Sequence, residues 1–194
     1  MNAAAVILAG GASRRMGSPK ALLTIGSETF ADRLIGVFDA CCSPVVVVLG
    51  HDADRIQAGI AREARFVFNP DHALGQLTSF QCGLRSIHTA PDAVLFTPVD
   101  YPSFSRATVT ALLHAFERQR PPVVVPRCDG RHGHPVLIAA ELVDEFLALP
   151  SDASARDVIH RHAGHTLYVD VDDPGINRDV DDPDAYQALL QVAS

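Results

Sequence analysis

The chain is short of basic residues. Lys and Arg number 16 against 23 Asp and Glu, a net charge of −7 over 194 residues. A surface of that sign repels a phosphate polymer, so no nucleic-acid partner is expected. A polyphosphate substrate has to arrive with a metal ion or meet a local cluster of donors. Cysteine is scarce as well. Cys41, Cys42, Cys82 and Cys128 show no CxxC spacing, which argues for free thiols over disulfides or a zinc site. Long apolar runs are missing: residues 3–9 are too few to span a bilayer, follow no basic segment and lead into glycines, unlike a signal peptide. The expectation is a soluble, cytoplasmic protein without a membrane partner. No repeat, low-complexity tract or linker divides the chain. With 47% hydrophobic and 20% charged residues, the composition suits one folded domain over residues 1–194.

What is present is an alternation of two patterns. Short β-branched or apolar runs at 5–8, 45–49, 66–68, 93–96, 123–125, 136–138 and 167–169 lack polar alternation, as strands covered on both faces do. Between them, residues 30–41, 108–116 and 142–149 carry helical stripes. Asp182 followed by Pro183 and Asp184 starts a last helix over 185–192, with Asp as N-cap and Pro at the first helical position. The fold class expected is α/β: one Rossmann-like domain with a mostly parallel sheet flanked by helices.

The most informative segment follows the first strand: Leu8-Ala9-Gly10-Gly11-Ala12-Ser13-Arg14-Arg15-Met16-Gly17-Ser18-Pro19-Lys20. Adjacent glycines let backbone N–H groups converge on an anion, and Ser13 adds a hydroxyl. Arg15 and Lys20 bring full charges that neutralise phosphate oxygens, one as a planar fork and one as a point charge. GxxxxGK[ST] and GxGxxG are both absent, which removes the two common phosphate loops. The segment resembles the LAGGxSxRMGxxK signature of the MobA-like nucleotidyltransferase family, which includes the molybdenum-cofactor cytidylyl- and guanylyltransferases.

Four further segments carry the resemblance, in order. Residues 69–84, from Asn69-Pro70 through Gly75, Thr78 and Ser79 to Leu84, read as a loop entering a helix whose first N–H groups are free. They are similar to the NPxxxxGMxxSLxxGL pattern of the cytidylyl branch, which implies that Ser79 and its neighbours contact base or ribose. Asp100 stands just past the carboxyl end of a buried strand, where ligand clefts of open α/β sheets lie, in a stretch resembling the family's LxxDxP. Gly133-His134-Pro135 resembles GxxGHPVLF, an acceptor-side element, and leaves His134 as a phosphate contact or a turn residue. Asp179 and Asp181 fall on the leading acids of a segment resembling DIDTPEDY; Asp179 or Asp181 joins Asp100 as a metal ligand, undecided between them. Arg156 resembles the Arg of a GARxLL stretch and is a candidate phosphate contact or an ordinary salt-bridging residue of a helix. Asp170 to Gly175 begins like a calcium loop but has Pro174 at its fifth position, so that reading is set aside.

The resemblance implies a Mg²⁺-dependent transfer of a nucleoside monophosphate from an NTP to a phosphorylated acceptor, with pyrophosphate leaving. Arg15, Lys20 and Asp100 are the implied catalytic groups; Leu8, Ala9, Gly10, Gly11, Ser13, Gly75, Ser79 and His134 are implied ligand contacts. CTP is the expected donor. The opening Leu8-Ala9-Gly10-Gly11 instead matches the guanylyl branch, with Gly10 leaving more room for a purine, so GTP stays open. The implied acceptor is molybdopterin carrying molybdenum, with a sugar or polyol phosphate as the alternative and a molybdoenzyme as a downstream partner. A non-catalytic module that binds nucleotide and delivers cofactor is the competing class.

Overall fold

A computed structural model describes residues 1–13 and 15–193; Arg14, inside the glycine-rich segment, lies outside the described residues. Among those residues the strands are, in chain order, β1 (Ala3–Ala9), β2 (Thr24–Ile25), β3 (Glu28–Thr29), β4 (Val45–Leu49), β5 (Arg65–Phe68), β6 (Ala93–Pro98), β7 (Val123–Cys128), β8 (Arg131–His132), β9 (Val136–Ala139) and β10 (Thr166–Asp170). The α-helices are α1 (Phe30–Phe38), α2 (Ala53–Gly59), α3 (Gln76–Ser86), α4 (Arg106–Gln119), α5 (Val143–Leu147), α6 (Ala155–Arg161) and α7 (Pro183–Ala193).

Eight strands form one sheet, seven of them in the order β10-β7-β9-β6-β1-β4-β5 and β8 paired to β7, while β2 and β3 make a separate hairpin. The β1–β4, β1–β6, β4–β5 and β7–β10 pairs are parallel, and β9 runs antiparallel between β6 and β7. Alternate residues of each central strand enter different cores: Ala5, Ile7, Val47 and Leu95 pack with Phe30, Leu34, Phe38, Leu112 and Phe116 on one face. Val6, Val48, Val94 and Phe96 pack with Phe80, Leu84, Phe146 and Val158 on the other. Burial on both faces is why these strands lack polar alternation.

The order of strands in the sheet places β1 between β6 and β4, with the carboxyl ends of both beside its own. Asp182 caps α7 through its carboxylate, which accepts from the Ala185 N–H at 2.9 Å. Asp173 of the calcium-like stretch spends both oxygens on capping, accepting from the backbone N–H of Gly175 and Ser105 at 3.0 and 2.8 Å. No helix of the described residues is long and apolar enough to cross a membrane.

Candidate active site

The loop after β1 doubles back on itself. Ser13 has a left-handed backbone at φ 46°, its carbonyl accepts from the Met16 N–H at 2.9 Å, and its hydroxyl oxygen accepts from the Lys20 N–H at 3.0 Å. Ser13 therefore closes the loop with the oxygen that the sequence offered to a ligand. Two neighbouring strand ends are tied to the loop. The Val99 N–H donates to the Leu8 carbonyl at 3.0 Å, and the His51 N–H to the Gly10 carbonyl at 3.2 Å. The result is a cavity of about 640 Å³ at the carboxyl edge of the sheet.

Leu8, Ala9, Gly10, Gly11, Ser13, Arg15, Lys20, Gly75, Ser79, Asp100 and Asp181 all line this cavity. Segments distant in sequence have been gathered around one volume. Gly75, at φ 125°, supplies a backbone conformation that an L side chain resists, and it starts α3 with no side-chain cap. The first N–H groups of α3 are thereby left without a side-chain cap at the edge of the cavity, which Gly75 and Gln76 line. Ser79 lies beneath, nearly buried, its oxygen accepting from Asn69 Nδ2 at 3.0 Å.

The carboxylates are held by cations. Lys20 Nζ donates to Asp100 Oδ2 at 3.1 Å and to Asp181 Oδ1 at 2.6 Å, and Arg15 Nη2 to Asp181 Oδ2 at 3.2 Å. Burial pushes the Asp100 carboxyl above its ordinary range against the opposing pull of Lys20, while the hydrogen bond from that same ammonium holds the more exposed Asp181 below it. Exposure decides the opposite directions. Asp100 Oδ1 is buried and has no hydrogen-bond partner. An unsatisfied, desolvated carboxylate oxygen beside a second carboxylate is a seat a hard divalent cation fits. Among the described residues no group of three metal-ligating side chains occurs, and Mg²⁺ takes one or two carboxylates, filling its shell with phosphate oxygens and water.

Of the two C-terminal acids, Asp181 faces Asp100 across Lys20, whereas Asp179 lines neither this cavity nor the next. His134 is elsewhere too. It lines a second cavity of about 300 Å³ with Arg156, Ser154 and Phe96, and Leu8 and Gln76 border both volumes. Burial lowers the His134 pKa to about 4, and Nδ1 has no partner. A neutral imidazole brings no charge to a phosphate, so in this cavity that charge belongs to Arg156. His132, two residues earlier, instead stacks on Tyr168 with ring centroids 4.3 Å apart.

One expectation changes. The room that Gly10 leaves in place of a side chain is not open cavity, because a Cβ there would meet Ser79 Oγ at 3.0 Å and the Gly50 nitrogen and His72 Cβ at 3.6 Å. Protein atoms fill it. Lining residues outside the sequence candidates include His51, His72 and Gln76. His51 follows the carboxyl end of β4, the position rule that found Asp100, and that rule would have flagged it.

Residues 5–166 match the family model described as MobA-like NTP transferase domain. The chain belongs to this family. This MobA-like transferase is 25% identical over 183 residues, 93% of the chain and 92% of the relative, to the molybdenum cofactor cytidylyltransferase of Escherichia coli (strain K12). It is 31% identical over 157 residues, 76% of each chain, to the probable molybdenum cofactor guanylyltransferase of Mycobacterium avium (strain 104). Among solved structures it resembles Rv0371C of Mycobacterium tuberculosis H37Rv in complex with manganese, at a TM-score of 0.80 and 25% identity over 98% of this chain and 99% of that one. Family and fold make this MobA-like chain a nucleotidyltransferase.

Proposed function

We propose that the protein transfers a nucleoside monophosphate, CMP from CTP, to the phosphate of a molybdenum-bearing molybdopterin, releasing pyrophosphate. The observation that carries the reading is the meeting of the glycine-rich loop, Lys20, and the Asp100–Asp181 pair around one cavity. CTP is supported by the segment from Gly75 to Leu84 and by the cytidylyltransferase that aligns over 93% of the chain.

An oxygen of the acceptor phosphate attacks the α-phosphorus, the bond to the bridging oxygen of the β-phosphate breaks, and pyrophosphate departs with that electron pair. Such a reaction needs positioning and charge neutralisation, not a protein nucleophile. The loop amides, Arg15 and Lys20 hold the polyphosphate. Gly75 and the start of α3 border the nucleoside. Arg156, in the adjoining cavity, orients the acceptor anion, with Leu8 and Gln76 between the two substrates. Asp100 and Asp181 are the residues that would hold Mg²⁺, which would add to the neutralisation of phosphate oxygens.

The test is pyrophosphate release with molybdenum-loaded molybdopterin and each of the four NTPs. CTP alone giving turnover supports the full reading, and GTP alone moves the donor assignment. Silence with all four, alongside measurable NTP binding, replaces the enzyme with a cofactor-delivery module. Asp100→Asn is expected to lower turnover about 100-fold or more while the protein melts no lower than the parent. Activity within a few-fold of the parent removes Asp100 from the mechanism.

A further inference from the structure

Lys20 has its backbone fixed and its head paired with carboxylates. The N–H is tied to Ser13 Oγ at 3.0 Å and the carbonyl to the Leu23 N–H at 3.1 Å. The four-carbon stem ends in an ammonium whose three donors rotate. That ammonium lies in the polyphosphate cavity, yet its partners are carboxylates, Asp100 Oδ2 at 3.1 Å and Asp181 Oδ1 at 2.6 Å. Its side chain is 13% exposed, against 68% for Arg15, which takes the remaining Asp181 oxygen. Both oxygens of Asp181 are thus engaged, and of the four in the pair only Asp100 Oδ1 has no partner. A divalent cation held by these two carboxylates would compete with Lys20 for them and be repelled by its charge.

We propose that Lys20 is an exchangeable counter-ion of the metal seat, neutralising the Asp100–Asp181 pair and surrendering it when a polyphosphate draws the ammonium away. The inference rests on the nucleotidyltransferase reading above and adds a binding order to it. Metal alone binds weakly because it must evict an ammonium already paired with both carboxylates. Triphosphate oxygens supply that ammonium with an alternative anion, so nucleotide and metal strengthen each other, and by linkage the coupling is reciprocal. The device also spares the protein two adjacent uncompensated carboxylates, one of them mostly buried.

The measurement is Mn²⁺ binding by the full chain, read from loss of the free-ion electron paramagnetic resonance signal, with and without CTP or GTP. Without nucleotide, Lys20→Met is expected to bind Mn²⁺ about tenfold more tightly than the parent, within the usual range of coupling between two sites. The gain from added nucleotide should shrink in the variant. Equal or weaker Mn²⁺ binding by a folded Lys20→Met overturns the proposal and leaves the transferase reading standing. Neither protein binding Mn²⁺ under any condition sinks both. A second readout avoids the variant: saturating Mg²⁺ without nucleotide should raise trace acetylation of the parent's Lys20 by acetic anhydride. Reactivity unchanged by bound metal is likewise fatal.

Discussion

A methyl group on Gly10 would crowd Ser79 Oγ at 3.0 Å, so the difference between Gly and Ala in the opening loop is a packing matter between two segments before it is one of base size. Gly10→Ala is expected to cost about 1 kcal/mol, most of it recovered in a Ser79→Ala background; chemical denaturation of the double-mutant cycle reads the coupling, and additive losses refute it. His134 carries a pH dependence of its own. Its pKa falls from 6.5 to about 4 on folding, so between those values the unfolded chain binds more protons and stability drops as pH drops. That contribution is intact above pH 6.5 and erodes toward pH 4. Urea unfolding at pH 7 and pH 5 should show His134→Gln losing less on acidification than the parent, by on the order of 1–2 kcal/mol. Neither effect is visible in sequence, since each depends on what lies against the residue.

At the scale of elements, the central strands are legible because a run covered on both faces cannot conceal its composition; the edge strands β5 and β10, expected to be covered likewise, are half-exposed, with Phe68 and Tyr168 facing solvent. Helix limits are less so. The stripe ending at residue 41 stops structurally at Phe38, and the one starting at 108 begins at Arg106 behind Ser105. Ser105 caps it through Thr108 N–H at 3.3 Å while Asp173, from far along the chain, holds the Ser105 N–H. Helix α2 leaves little trace in the sequence because its only buried residue is Ile56, too faint a stripe. Helix α3 sits directly on the sheet: a Cβ on Gly83 would come within 2.5 Å of Val6 Cγ1 and 3.0 Å of Val48 Cγ2. Gly83→Ala should therefore destabilise by about 2 kcal/mol or more, despite the better helix propensity of alanine. A gain in melting temperature would contradict that packing.

Across the whole molecule, the site is closed by the C-terminal stretch. The Val180 N–H donates to the Asp100 carbonyl at 2.9 Å, and fully buried Val180 anchors the strand of chain that presents Asp181. Val180→Ala is expected to cost about 2 kcal/mol and to weaken nucleotide-dependent Mn²⁺ binding as well; unchanged metal binding in a destabilised protein would separate the anchor from the seat. By itself the sequence determined the alternation of elements, the glycine-rich loop after the first strand, Asp100 at a strand's carboxyl end and the cap at Asp182, since each rests on local geometry or on a run of neighbours. Only the tertiary structure decided that Asp181 and not Asp179 meets Asp100, that Lys20 lies between them, and that His134 and Arg156 border a separate cavity. Those outcomes depend on distances between residues 80 and 161 positions apart, which are set by how the two cores close around the sheet.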